Sequence, residues 1–193
     1  MTRWAAAGLL TLALLGGCAD GQAPVMGQAA LGAVKFESSD GRTLAIRDLQ
    51  GKPTLLFFGF THCPEVCPLS LVKAVQIKQL LGPAAAQLQV AFVTVDPQRD
   101  TPAHLREYLA AFDTTFLGLA ADEPGTRAIA ESLGVSYRRV GEGDMATFEH
   151  TASWFLLGAD GQLQDVYGYA MNEQDIVEKL RVRLPVAGGI ARP

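Results

Sequence analysis

Thr54-Leu55-Leu56-Phe57-Phe58-Gly59-Phe60-Thr61-His62-Cys63-Pro64-Glu65-Val66-Cys67-Pro68 is the stretch on which the fold turns. Residues 54–60 form a continuous apolar run without polar alternation, the pattern of a strand covered on both faces. Pro68 has no backbone N–H to donate and suits a first helical position. Leu69, Val72, Val75 and Leu80 then carry a helical stripe that Gly82-Pro83 closes. This arrangement puts Cys67 at a helix mouth and Cys63 in the turn before it. Unpaired N–H groups and the helix dipole there favour a thiolate over a thiol. Two neighbouring thiolates make a soft site that selects Cu(I) over hard cations. The same pair can also cycle between dithiol and disulfide.

Working outward, residues 34–36 and 43–46 flank Asp40-Gly41 and read as an opening hairpin. Residues 88–95 form a second buried strand. Thr101-Pro102 is an N-cap and first-turn signal, followed by Leu105, Tyr108, Leu109 and Phe112 at helical spacing. Phe116-Leu117 is a short strand candidate, and residues 124–133 are a helix stopped by Gly134. Residues 135–140 read as a strand and 141–144 as a loop. Residues 153–157 and 162–167 form a hairpin around Ala159-Asp160-Gly161, and Ile176, Val177, Leu180 and Leu184 mark a final amphipathic helix. A closing hairpin and helix after two strand–helix units is the order of an α/β, thioredoxin-like fold. The N-terminal hairpin and an inserted strand–helix element are its additions.

Residues 1–17 read as a signal peptide and are set apart from the fold. Arg3 gives a positive start, and the apolar run from Trp4 to Leu15 falls short of the roughly 20 residues a membrane span needs. The run ends in Leu15-Gly16-Gly17-Cys18, which resembles a bacterial lipobox and implies lipidation at Cys18. Several acyl chains there anchor stably, since each buried methylene contributes about 0.8 kcal/mol. Residues 18–30, small and polar, are a lipidated anchor and flexible spacer. The globular domain is expected over 31–184, with a tail over 185–193. Such a chain is a membrane-anchored lipoprotein outside the cytoplasm, facing the periplasm of a bacterium. A net charge of −4 with no basic stretch disfavours a nucleic-acid partner. With Cys18 assigned to lipid, Cys63 and Cys67 are the only remaining cysteines. A bridge between them would close too short a loop to restrain the unfolded chain, so the pair reads as chemical rather than architectural.

Three segments together resemble the Sco/SenC family of copper chaperones. The 54–68 stretch is similar to that family's signature. Val93-Thr94-Val95-Asp96-Pro97-Gln98-Arg99-Asp100-Thr101-Pro102 is similar to its second motif, and Glu149-His150-Thr151 to its third. The resemblance runs from about residue 34 to residue 181. It implies copper bound as Cu(I), with Cu(II) as a further state, by Cys63, Cys67 and His150. It also implies delivery to a copper-accepting subunit of a respiratory cytochrome oxidase, at a CuA-type centre. Glu149 replaces the family's usual aspartate, a change in residues around the ligands rather than in the ligands themselves.

His150 stands just before the strand at 153–157, where thioredoxins carry a proline facing the cysteines. No proline occurs here between Pro124 and Pro185. His62, beside Cys63, is a candidate for tuning the cysteine or for a fourth ligand. His104, in the first turn of a helix, reads as a surface residue. Asp96 and Asp100 fall at the end of a parallel strand, where sites of open α/β sheets gather, and with Glu149 they are candidates for supporting the copper loop. Two further functions use the same sulfurs: a thiol-disulfide oxidoreductase that reduces the cysteines of a metal-accepting partner, and a redox or copper sensor. A peroxidase is disfavoured, because the paired threonine and arginine of such sites are lacking near Cys63.

Overall fold

The central strand of the protein is the apolar run itself. In the computed structural model, which describes residues 32–184, β3 (Thr54–Gly59) has all six residues buried. It pairs in parallel with β4 (Gln89–Thr94) and antiparallel with β8 (Trp154–Leu157). Around it a seven-stranded sheet forms in the order β2-β1-β5-β4-β3-β8-β9. The remaining strands are β1 (Phe36–Ser38), β2 (Thr43–Leu44), β5 (Leu117–Ala120) and β9 (Leu163–Tyr167). The β1–β2 hairpin packs antiparallel on β5 at one edge, and β9 closes the other. The expectations for residues 1–17, Cys18 with its spacer to residue 30, and the tail at 185–193 lie outside the described residues. Among the described residues no helix is long and apolar enough to cross a membrane.

Helix α1 (Val66–Leu81) follows β3. Pro68 is its third residue, not its first. The third N–H of a helix lacks an intrahelical partner too, so a proline there sacrifices no bond. The buried face carries Cys67, Leu71, Ala74, Ile77 and Leu81. The expected stripe is therefore rotated: Leu69, Val72 and Leu80 are 49%, 43% and 41% exposed. The helix is apolar on more than one side, so periodicity admits two stripes, and the sheet covers the one that includes Cys67. Gly82 ends the helix at φ +58°, a conformation that glycine adopts without strain.

Helix α2 (Pro102–Ala110) is capped by Thr101, whose hydroxyl accepts from the backbone N–H of His104 at 3.2 Å. Helix α3 (Glu123–Ser132) is capped by Asp122, and α4 (Glu173–Arg183) by Asn172. Between β4 and β8 the chain carries α2, β5, α3 and a separate two-stranded ribbon, β6 (Tyr137–Val140) with β7 (Thr147–His150). The architecture is thioredoxin-like, with an insertion longer than one strand and one helix. Strand β7 is the element that the apolar pattern did not resolve, and it carries His150 as its last residue.

Candidate metal centre

The loop between β3 and α1 delivers both sulfurs to one spot. Cys67, the second residue of α1, is fully buried, whereas Cys63 in the preceding turn is half-exposed. Both are free thiols. The backbone N–H of Cys67 donates to the Sγ of Cys63 at 3.3 Å, so an otherwise unpaired helix N–H is aimed at sulfur. His150 approaches from the ribbon, with its Nε2 3.6 Å from the Sγ of Cys67. The two sulfurs and an imidazole nitrogen of His150 all lie within 4.8 Å of one another.

The tautomer of His150 follows from its other nitrogen. Nδ1 lies 3.0 Å from the carbonyl oxygen of Thr151. A carbonyl only accepts, so Nδ1 carries the proton and the Nε2 lone pair faces the sulfurs. Such a backbone bond on the far nitrogen is how proteins orient metal-binding imidazoles. Phe57 and Phe60 hold the ring edge-on, with centroids 6.0 and 6.1 Å from it, and Phe148 packs on Phe60 at 5.3 Å.

The two cysteines differ in character. A hydrogen bond from the Cys67 thiol, helped by the backbone N–H groups of Cys67 and Glu65, lowers the Cys63 thiol to about 4. The same bond, with burial, pushes the Cys67 thiol up. One half-exposed thiolate thus sits beside one buried thiol.

Of the other candidate residues, Asp100 and Asp96 frame the centre, whereas His62 and Glu149 do not. Asp100 is fully buried, accepting from the backbone N–H of Thr61 at 3.0 Å and from the hydroxyls of Thr61 and Thr94, each at 2.6 Å. It pins the start of the cysteine loop to the end of β4. Asp96 pairs with Arg99, whose Nη2 donates to the carbonyl of Ala146 at 2.8 Å. That bond straps the β4–α2 loop to the residue entering β7. His62 is turned to Thr61, its Nδ1 3.0 Å from the hydroxyl. His104, expected at the surface, is half-buried and reaches the same hydroxyl with Nε2 at 3.0 Å. Glu149 is exposed and pairs with Arg138 across the ribbon at 2.6 Å, since neighbours in a strand point to opposite faces.

Patterning did not single out Gly59, Thr61, Phe60 or Phe148. A Cβ on Gly59 would stand 2.9 Å from the Sγ of Cys67 and 2.7 Å from the Phe92 ring. A glycine inside an apolar strand is itself the sign of such close approach.

A family model described as SCO1/SenC matches residues 26–184. The chain is 34% identical over 137 residues to the SCO2-like protein of Rickettsia felis, covering 69% of this chain and 67% of that protein. It is 33% identical over 171 residues to the mitochondrial SCO2 homolog of Bos taurus, covering 86% and 64%. The chain therefore spans about two thirds of the length of these relatives. The structure of Bradyrhizobium japonicum ScoI with copper bound superposes with a TM-score of 0.71 at 33% identity, covering 78% of this chain and 97% of that one. Because the family match takes in the cysteine loop, the 93–102 segment and the ribbon bearing His150, this chain belongs to the SCO1/SenC family.

Proposed function

We propose that the protein is a metallochaperone that carries copper as Cu(I) on the sulfurs of Cys63 and Cys67 and on Nε2 of His150. The observation that carries this reading is the convergence of two sulfurs and one oriented imidazole lone pair within 4.8 Å. Two soft donors and one nitrogen suit Cu(I). The ScoI relative with copper bound lends support from outside the chain. Cys67 and His150 form the inner side of the centre and hold the ion. Cys63 is its accessible edge, where an incoming thiolate or imidazole of an acceptor displaces one ligand at a time. The acceptor we propose is the CuA-type subunit of a respiratory oxidase. Anchoring through Cys18 outside the cytoplasm, after removal of residues 1–17, would hold the carrier beside such a membrane enzyme. Replacing Cys18 with serine then releases the protein from the membrane fraction.

Anaerobic titration of the reduced protein against a Cu(I) chelator tests the reading. One equivalent is expected to bind, and His150→Ala to lower the affinity at least tenfold while a Cys63–Cys67 disulfide still forms. Unchanged affinity in His150→Ala would rule out His150 as the third ligand.

The pairing of a thiolate with a buried thiol favours a second use of the same sulfurs, as a disulfide reductase. The Cys63 thiolate attacks one sulfur of a partner disulfide, forming a mixed disulfide and releasing the other as thiolate. The Cys67 thiol gives that thiolate its proton and attacks Cys63, closing the Cys63–Cys67 disulfide. The partner leaves with both cysteines reduced. Cys67→Ser should trap the mixed disulfide; failure to trap it would oppose this use.

A further inference from the structure

We infer that His62, His104 and Asp100 form a second metal site, for a borderline divalent cation such as Cu(II) or Zn(II), separate from the sulfur centre. The ligand atoms of the three side chains lie within 4.8 Å of one another. The Nδ1 of His62 is 4.0 Å from the Oδ1 of buried Asp100. The hydroxyl of Thr61 organises the group. Its single proton goes to Asp100 at 2.6 Å, because a carboxylate oxygen accepts. Its lone pairs therefore face the two imidazole nitrogens, each 3.0 Å away. Both rings thus turn a nitrogen inward over a buried carboxylate, where a cation can take the place of two N–H protons.

Two imidazoles and one carboxylate are a donor set for borderline divalent ions, distinct from the soft set of the sulfur centre. On a tetrahedral ion with bonds of about 2.1 Å, neighbouring ligands stand roughly 3.4 Å apart. The separations here close to that value by small rotations of His62, which is half-exposed, and of His104 in the first turn of α2. Thr61 and His62 carry this site, and Cys63 and Cys67 carry the other. A single loop thus bears a site for each oxidation state of copper. The inference does not depend on the sulfur centre.

The chain has only three histidines, which makes the test discriminating. In the full chain with Cys63→Ser and Cys67→Ser, Cu(II) titration followed by electron paramagnetic resonance is expected to show one equivalent with two imidazole nitrogens. His104→Gln and His62→Gln on that background should each weaken binding at least tenfold, and His150→Gln should leave it unchanged. If the serine variant is poorly folded by circular dichroism, unaltered protein preloaded with one equivalent of Cu(I) is titrated anaerobically with Zn(II). His104→Gln should then weaken Zn(II) binding equally. Binding unaffected by His62→Gln and His104→Gln, or abolished by His150→Gln, would overturn the inference and leave the cluster as a hydrogen-bonded loop anchor. Failure of the Cu(I) titration alone would count against the sulfur centre and not against this site.

Discussion

Replacing Gly59 with alanine should damage the copper centre from inside the sheet. The added Cβ would lie 2.9 Å from the Sγ of Cys67 and 2.7 and 2.8 Å from two atoms of the Phe92 ring. Non-bonded heavy atoms settle at about 3.5–4.0 Å, so the sulfur contact falls short by roughly 0.6–1.1 Å. Phe92 is fully buried in β4, paired with β3 on one side and β5 on the other, and has nowhere to retreat. Cys67 must then give way by moving its sulfur off the Nε2 of His150. Overpacking of this kind costs about 1–3 kcal/mol of stability, or roughly 4–8 °C in Tm for a 2 kcal/mol loss in a domain of this size. A shift of that size also exceeds the ~0.5 Å within which a functional constellation must be held. We expect Cu(I) affinity to drop at least tenfold. Gly118→Ala is the control: its Cβ would meet first the Leu105 Cβ at 2.7 Å and then the Leu109 Cδ1 at 3.1 Å, side chains of α2 and not of the centre. Chemical denaturation should find both variants destabilised, and chelator competition should find only Gly59→Ala impaired in Cu(I) binding. Equal copper affinity in the two variants would show that the Gly59 contact does not position the Cys67 sulfur.

The low Cys63 value, about 4, makes its alkylation in the reduced protein nearly flat over pH 6–8, whereas an ordinary thiol near 8.5 would accelerate about tenfold per unit. Unfolded Cys63 keeps its proton up to about pH 8.5, so the unfolded state binds one more proton between about 4 and 8.5. Stability should therefore rise with pH across that window and be lost as pH falls toward 4; Cys63→Ser should flatten the rise in denaturation midpoints. Asp100→Asn removes a buried acceptor of three hydrogen bonds and should cost about 2–3 kcal/mol, measured by urea unfolding. Arg99→Lys retains a charge for Asp96 but lacks the forked geometry that also reaches Ala146. It should weaken Cu(I) binding about three- to tenfold in chelator competition while leaving Cys63 alkylation unchanged.

Residues 54–60 were legible as the central strand because burial on both faces leaves a continuous apolar run, and Thr101-Pro102 was legible because its capping chemistry is local. The facing of α1 was not. Leu69 and Leu71 are equally apolar, and only the sheet decides which of them is covered. Residues 147–150 alternate exposed and half-buried side chains, as strands do, but four residues after a glycine-rich loop are a weak signal. Their pairing with 137–140 depends on partners that precede the intervening loop. Asp100 was legible as a support for the cysteine loop, but its partners and those of Arg99 were not, because each reaches a segment remote in sequence: Thr61 in one case, Ala146 in the other. Cys63 and Cys67 stood out by spacing and context, and His150 by resemblance. That its Nδ1 is committed to the Thr151 carbonyl is tertiary information.

Copper K-edge X-ray absorption on the reduced protein carrying one equivalent of Cu(I) reads out the ligands of the ion themselves. Two sulfurs and one imidazole nitrogen are expected around the ion, with the nitrogen lost and both sulfurs kept in His150→Ala. Sulfur-only coordination in the unaltered protein, or an identical spectrum after His150→Ala, would rule out His150 as a ligand.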